Sequence, residues 1–196
     1  MPASGQARGA WGWHPLDSRW AQRVVDAAGV RSGDLVLDVG AGLGALTGPL
    51  VRAGAEVIAV ELHPVRAAKL RERFGAPSTA GRSEAAPTGN RSGSVRVIQV
   101  DATDLRLPTR PFRVISSPPY GVSTALLKRL LAPGSRLLSA DLVLQRQVVN
   151  RWVEGRAPGA ARWTRHYDTS IGIRLPRKAF TPPPHVDSAV LRITKR

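Results

Sequence analysis

Leu35-Val36-Leu37-Asp38-Val39-Gly40-Ala41-Gly42-Leu43-Gly44 reads as a short buried strand, Leu35 to Val39, that runs directly into a glycine-rich turn. Ala45 to Ala53 then carries a helical pattern. A strand, a tight turn and a helix in immediate succession form the opening of a βαβ unit, and the rest of the chain continues in that rhythm. Strands are predicted at Glu56 to Val60, Val95 to Val100, Phe112 to Ser116, Leu137 to Leu144 and Asp187 to Thr194. His63-Pro64 opens a helix that continues through Phe74, and Val122 to Leu131 forms another that Pro133-Gly134 stops. The fold class is α/β, with a mainly parallel, doubly wound sheet. Gly75 to Ser94 breaks the pattern: sixteen of its twenty residues are Gly, Ala, Ser, Thr or Pro, and no apolar face recurs. It is expected to be a flexible surface insertion between a helix and a strand, where added loop length costs little.

The 196 residues suit one domain with a full core, residues 1–196, with 1–31 as an N-terminal flanking segment. No apolar run is long enough to cross a bilayer and Met1 to Ala10 has no apolar signal-peptide core, so a cytoplasmic protein without membrane contact is expected. The absence of cysteine excludes disulfides, thiolate metal sites and cysteine nucleophiles. The four histidines form no ligand cluster, and no metal is expected. Twenty-nine Lys and Arg against fourteen Asp and Glu give +15. An excess of that size points to nucleic acid. It is concentrated late: residues 146–196 hold eleven basic side chains against Glu154, Asp168 and Asp187.

The glycines of the Asp38 to Gly44 turn let the backbone approach a ligand, and the helix beyond offers unpaired N–H groups. Glu61, at the end of the next strand, is placed to accept hydrogen bonds from a ribose diol, which makes the turn a nucleoside pocket. Gly40-Ala41-Gly42-Leu43-Gly44-Ala45 also satisfies a dinucleotide fingerprint, so NAD stays open on this pattern alone. Asp101-Ala102, at the end of the third strand, supplies an acceptor for an adenine amino group and favours an adenosyl ligand.

Ser117-Pro118-Pro119-Tyr120 follows the fourth strand directly. Two prolines cannot donate to a ladder, so the strand stops and their carbonyls are expected to be free for a ligand. An exocyclic amine is a weak nucleophile because its lone pair is delocalised into the ring. Acceptors such as the Ser117 hydroxyl and the Pro118 carbonyl can bind its hydrogens and favour attack, while Tyr120 offers a ring for a flipped base to stack on.

Taken in order, Asp38 to Gly44, Glu61, Asp101 and Ser117 to Tyr120 resemble the S-adenosylmethionine-dependent adenine-N6 methyltransferases. Phe180-Thr181-Pro182-Pro183-Pro184-His185-Val186-Asp187-Ser188 resembles the late F-x-P-x-P-x-V-x-S signature of the Erm ribosomal RNA methyltransferases and the related ribosome-biogenesis dimethyltransferases. Trp11-Gly12-Trp13-His14-Pro15-Leu16 is most similar to the short mycobacterial Erm proteins. The resemblance implies a Rossmann-like methyltransferase fold with its last strand antiparallel. It implies methyl transfer from S-adenosylmethionine to adenine N6 in 23S rRNA or a large-subunit precursor, by a monomer, conferring macrolide, lincosamide and streptogramin resistance. It also implies cofactor contacts at His14, Leu16, Asp38, Gly40, Gly42, Gly44, Glu61, Leu62, Asp101, Ala102 and Ser117, and an acceptor pocket of Ser117, Pro118, Tyr120 and Phe180. The family has Asn where this chain has Ser117, and S-P-P-Y also resembles cytosine-N4 methyltransferases.

The chain ends just after the last strand, where full-length relatives continue into a helical RNA-binding domain, so no such domain is expected and RNA contacts are assigned to the flanks. Arg151 beside Trp152, Arg162 and Arg165 around Trp163, and Arg177 and Lys178 before Phe180 are the candidates, pairing base stacking with phosphate contacts. Two other classes stay open. A nicotinamide-dependent oxidoreductase would need a proton donor that the Pro-Pro-Tyr run does not supply. An RNA-binding relative with weak or no turnover would bind cofactor without transferring methyl.

Overall fold

The computed structural model describes residues 14–75 and 93–196, including the backbone but not the side chain of Tyr120. Trp11, Trp13 and residues 76–92 of the expected insertion lie outside the described residues.

Helix α1 (Ser18–Ala28) starts where the Asp17 carboxylate accepts the Arg19 N–H at 2.9 Å, and it ends at Gly29 in the left-handed conformation. Its buried Ala21, Val24 and Val25 follow helical spacing and face the sheet. There follow β1 (Leu35–Val39), α2 (Thr47–Arg52), β2 (Glu56–Val60), α3 (Pro64–Phe74), β3 (Ser94–Ile98) and β4 (Phe112–Ser116). Then come α4 (Ser123–Leu130), β5 (Leu137–Gln145), α5 (Arg146–Val153), α6 (Ala160–Trp163), β6 (Tyr167–Leu175) and β7 (Ser188–Lys195). The sheet order is β3-β2-β1-β4-β5-β7-β6. β1 to β5 are parallel to one another, and β7 runs against both β5 and β6.

The sheet is buried on two faces, as a doubly wound arrangement requires. Leu37, Val39, Phe112 and Val114 meet α4 and α5 on one face, whereas Val36, Val57, Ala59 and Ile115 meet α1, α2 and α3 on the other. One crossover departs from the pattern, because Gln99–Pro111, between β3 and β4, contains no helix.

Guanidinium groups close the end of α1. Arg113 of β4 donates to Gly29 O at 3.0 Å and to Asp34 Oδ2 at 2.8 Å, and Arg192 of β7 donates to Ala27 O at 2.7 Å and to the buried Asp141 at 2.8 Å. Burial raises the Asp141 carboxyl above its ordinary value, and Arg192 opposes that rise.

The predicted strands and the helices after β1, β2 and β4 are present, and β7 has the expected reversed direction. β3 is shorter than predicted, and β6 and α5 are additions that the periodicity did not mark. The tryptophan expectation is corrected for one pair: Trp152 and Trp163 stack on each other, with ring centroids 4.7 Å apart and 12° between planes, and Trp152 is buried. The ring faces that they turn toward each other are therefore not open to RNA bases.

Candidate active site

A cavity of about 490 Å³ opens at the C-terminal ends of β1, β2, β3 and β4, the position at which open α/β sheets bind ligands. It gathers His14, Leu16, Asp38, Gly40, Gly42, Glu61, Leu62, Asp101, Ala102, Ser117, Pro118 and Phe180. Gly44, expected among the cofactor contacts, does not line it and packs against Phe74 and Leu70 instead.

The glycine turn has two steric reasons. At Gly40, φ is +76°, and a Cβ would lie 2.9 Å from Pro119 Cδ, so the glycine loop and the Ser-Pro-Pro turn touch because this residue has no side chain. At Gly44, φ is +88°, and a Cβ would lie 2.5 Å from the Phe74 ring at the end of α3. Gly42 contributes through its N–H, which donates to Glu61 Oε2 at 2.8 Å.

Glu61 is more committed than its expected ribose role requires. Its buried Oε1 accepts from His63 N–H at 2.8 Å and from Arg66 Nε and Nη2 at 3.1 and 3.0 Å. The carboxylate therefore ties the glycine loop to α3, and a ribose hydroxyl would have to use the remaining acceptor capacity of Oε2. Arg66 lines the cavity, and the sequence reading missed it. The only sequence signal was its position five residues after Glu61 in the first turn of a helix.

Asp38 is fully buried and accepts from Thr47 Oγ1 at 2.7 Å. Burial, reinforced by the neighbouring Glu61 charge, pushes its carboxyl up to about 7 against the Thr47 hydrogen bond. Asp101 differs: Thr103 donates to its Oδ1 from the backbone N–H at 2.8 Å and from the hydroxyl at 2.7 Å, and these bonds hold its pKa below the ordinary value.

Ser117 and Pro118 line the cavity. The expectation of free proline carbonyls is corrected at Pro119, whose oxygen accepts from Val122 N–H at 3.1 Å, so Pro118 is the proline acceptor that this turn does not consume. The buried Phe180 forms the opposite wall. Its strand-like bridge to Leu16 is flanked by Asp17 N–H to Ala179 O at 2.8 Å, Thr181 N–H to Pro15 O at 3.1 Å and a contact of His14 Nδ1 with Pro182 O at 2.9 Å. Residues 14–17 and 179–182, remote in sequence, thus form one closing wall.

The RNA candidates scatter. Arg151, Arg162, Arg165 and Lys178 are exposed. Arg162 and Arg165 precede Tyr167, which pairs with Lys195 at the sheet end away from the cavity. Arg177 holds the loop after it, its Nε donating to Pro184 O at 2.7 Å and its N–H to Asp187 Oδ1 at 3.2 Å.

The volume suits a small-molecule cofactor. Three carboxyl groups face the cavity, and the guanidinium beside them is already taken by Glu61. Such a site favours a cationic nucleoside over a pyrophosphate.

A family model described as ribosomal RNA adenine dimethylase matches residues 15–196. Ribosomal RNA small subunit methyltransferase A from Alcanivorax borkumensis is 31% identical over 196 residues, covering 96% of this chain and 65% of its own length. The protein of the same name from Bordetella petrii is 34% identical over 198 residues, covering 96% and 69%. The chain spans 62–65% of the length of several curated relatives it matches. Among solved structures, the 23S rRNA methyltransferase ErmE matches with a TM-score of 0.76 at 26% identity, covering 92% of this chain and 69% of that one. A dimethyladenosine transferase from Plasmodium falciparum shares the fold, with a TM-score of 0.74 at 21% identity over 93% and 64%.

Proposed function

The chain belongs to the ribosomal RNA adenine dimethylase family, and from that premise we propose that it is a single catalytic domain transferring methyl from S-adenosylmethionine to the exocyclic N6 of an adenine in 23S rRNA. The observation that carries this reading is one cavity in which the glycine loop, Glu61 and Asp101 stand beside Ser117, Pro118 and Phe180. When bound, the cofactor supplies an electrophilic methyl on a sulfonium. Asp38 and the Gly40 to Gly44 turn would hold its amino-acid end, Glu61 its ribose and Asp101 its adenine amino group. The Ser117 hydroxyl and Pro118 carbonyl would accept hydrogen bonds from the target amine and so orient it in the cavity, and Tyr120 and Phe180 would hold the base.

The large-subunit target, and with it macrolide, lincosamide and streptogramin resistance, is supported by the Trp11 to Leu16 segment and the likeness to ErmE. The small-subunit methyltransferases among the sequence relatives support a second reading, methylation of 16S rRNA. Radiolabelled methyl transfer to purified 16S and 23S rRNA and to both subunits, followed by mapping of the modified base, tests both. N6-methyladenine in 23S rRNA is expected. Label confined to 16S rRNA overturns the target, and label on cytosine overturns the reaction. Ser117→Ala should lower single-turnover methylation far more than cofactor affinity, and Ser117→Asn should sustain it.

A further inference from the structure

The crossover without a helix leaves one end of the sheet open. Between β3 and β4, the 105–110 loop stands off Leu35, Ile58 and Ile98 and leaves a groove of about 630 Å³. The groove adjoins a second hollow of about 440 Å³ through Leu107, Pro108 and Thr109. Arg129 pins the loop by donating to Thr103 O and Leu105 O. Exposed arginines line the combined groove: Arg96, Arg106 and Arg110 on one side and Arg136 on the other. Arg110 is paired with Glu56, whereas Arg96, Arg106 and Arg136 have no side-chain partner among the described residues. Besides Arg129, which is spent on the loop carbonyls, four exposed guanidinium groups thus stand with one lining carboxylate, Glu56.

The location matters as much as the charge. Leu35, Glu56 and Ser94 are the first residues of β1, β2 and β3, and Arg110 and Arg136 precede β4 and β5, so the groove lies at the end opposite the cofactor cavity. Five-residue strands separate the two ends by about 13 Å. β3 is the sheet edge and carries Arg96 on its groove side, while Val100 and Asp101, just beyond β3, line the cavity. A polyanion leaving the cavity mouth over this edge meets Arg96 and then Arg106, Arg110 and Arg136. The 76–92 segment, with Arg82 and Arg91 against Glu84, lacks the negative charge to complement the groove.

We propose that this groove is a second binding site for the RNA sugar-phosphate backbone, holding the substrate at a point remote from methyl transfer. The inference rests on the reading of RNA as substrate. Unpaired, exposed guanidinium groups are suited to phosphate oxygens, and the apolar floor admits backbone without reading bases.

The test is the combined variant Arg96→Gln, Arg106→Gln and Arg136→Gln, with Arg110 retained in its ion pair. A 23S rRNA hairpin is titrated from 50 to 200 mM KCl, alongside calorimetry with S-adenosylmethionine, a thermal melt and steady-state methylation. The log-log salt slope should flatten by about 2 to 3 and RNA binding should weaken about 10- to 100-fold, from the loss of three phosphate contacts. KM for RNA should rise with kcat, cofactor affinity and melting temperature unchanged. Lys69→Gln with Arg71→Gln, on the exposed side of α3, should leave the slope where it was. An unchanged slope and KM in the triple variant overturn the proposal, as would be seen if an acidic protein were the occupant. An equal loss per charge in the α3 variant also overturns it, since that would reflect net charge alone. Parent methylation of rRNA is scored separately: groove-dependent RNA binding without methyl transfer would support the groove while sinking the proposed reaction.

Discussion

Asp38→Asn separates what the glycine loop needs for folding from what it needs for its ligand. The native Asp38 carboxyl titrates at about 7, against 3.8 ordinarily, chiefly because it is buried. Below pH 3.8 both folded and unfolded chains hold this proton. Between 3.8 and about 7 the unfolded chain releases it and the folded chain keeps it, so stability falls as pH rises through that window. Above 7 the full cost of the buried charge is present. The displacement corresponds to about 4 kcal/mol against the ionised form. Asparagine has nearly the same shape, and its oxygen can still accept from Thr47 Oγ1. The ligand-free variant should therefore match the parent near pH 4 and exceed it at pH 8 by up to about 4 kcal/mol.

Binding should move the other way. S-adenosylmethionine carries net positive charge, which favours ionised Asp38, so parent affinity should climb up to about tenfold per pH unit below 7 and then level off. The variant should bind with little dependence on Asp38 protonation and about 10- to 100-fold more weakly at pH 8, the loss of a charge-assisted interaction. Denaturant unfolding at pH 4, 6 and 8, with calorimetry in buffers of different ionisation enthalpy, reads both effects. A constant difference in stability between variant and parent across the series, or parent binding without proton release at pH 7, would refute the reasoning.

Glu61→Gln retains the size of the side chain but leaves one oxygen to face donors on both sides, so either Gly42 N–H or the His63 and Arg66 donors lose an acceptor. S-adenosylmethionine affinity should fall by about 1.5–3 kcal/mol and the melt should broaden or drop; calorimetry showing parent affinity would move the ribose away from Glu61. Gly44→Ala combines a strained φ with a contact on Phe74 and should cost about 2–4 kcal/mol in chemical denaturation, part of it recovered by Phe74→Ala in the same chain. No recovery in the double variant would mean that the backbone, and not the ring, sets the requirement. Arg192→Ala leaves Asp141 buried without its guanidinium and should cost about 3–5 kcal/mol at neutral pH. The loss should shrink toward acid pH as Asp141 takes up a proton, and a pH-independent loss would assign it to Ala27 O and packing instead.

The parts of the site that were legible are those where the chain constrains itself locally. A strand ending in Gly40 to Gly44 and another ending in Ser117-Pro118-Pro119 announce turns because glycine and proline restrict or release φ regardless of distant contacts. What was not legible depended on partners far along the chain or on which way a side chain faced. Trp163 sits between arginines in sequence, yet its ring lies on Trp152. The bulge between Ile171 and Arg174 interrupts the period-two pattern that would have marked β6. Glu61 lines the cavity, but its donors are a backbone N–H nineteen residues back, the His63 N–H and an arginine five residues on. His14 contacts the carbonyl of Pro182, 168 residues away, and no local rule joins them. Gly40 and Pro119 lie between these extremes. Each is readable alone, but the missing Cβ at 40 makes room for the ring at 119. The glycine loop and the Ser-Pro-Pro turn are therefore one steric unit, and a side chain at position 40 would press on Pro118 and Pro119, and so on the proposed acceptors, as directly as it would alter the glycine loop itself.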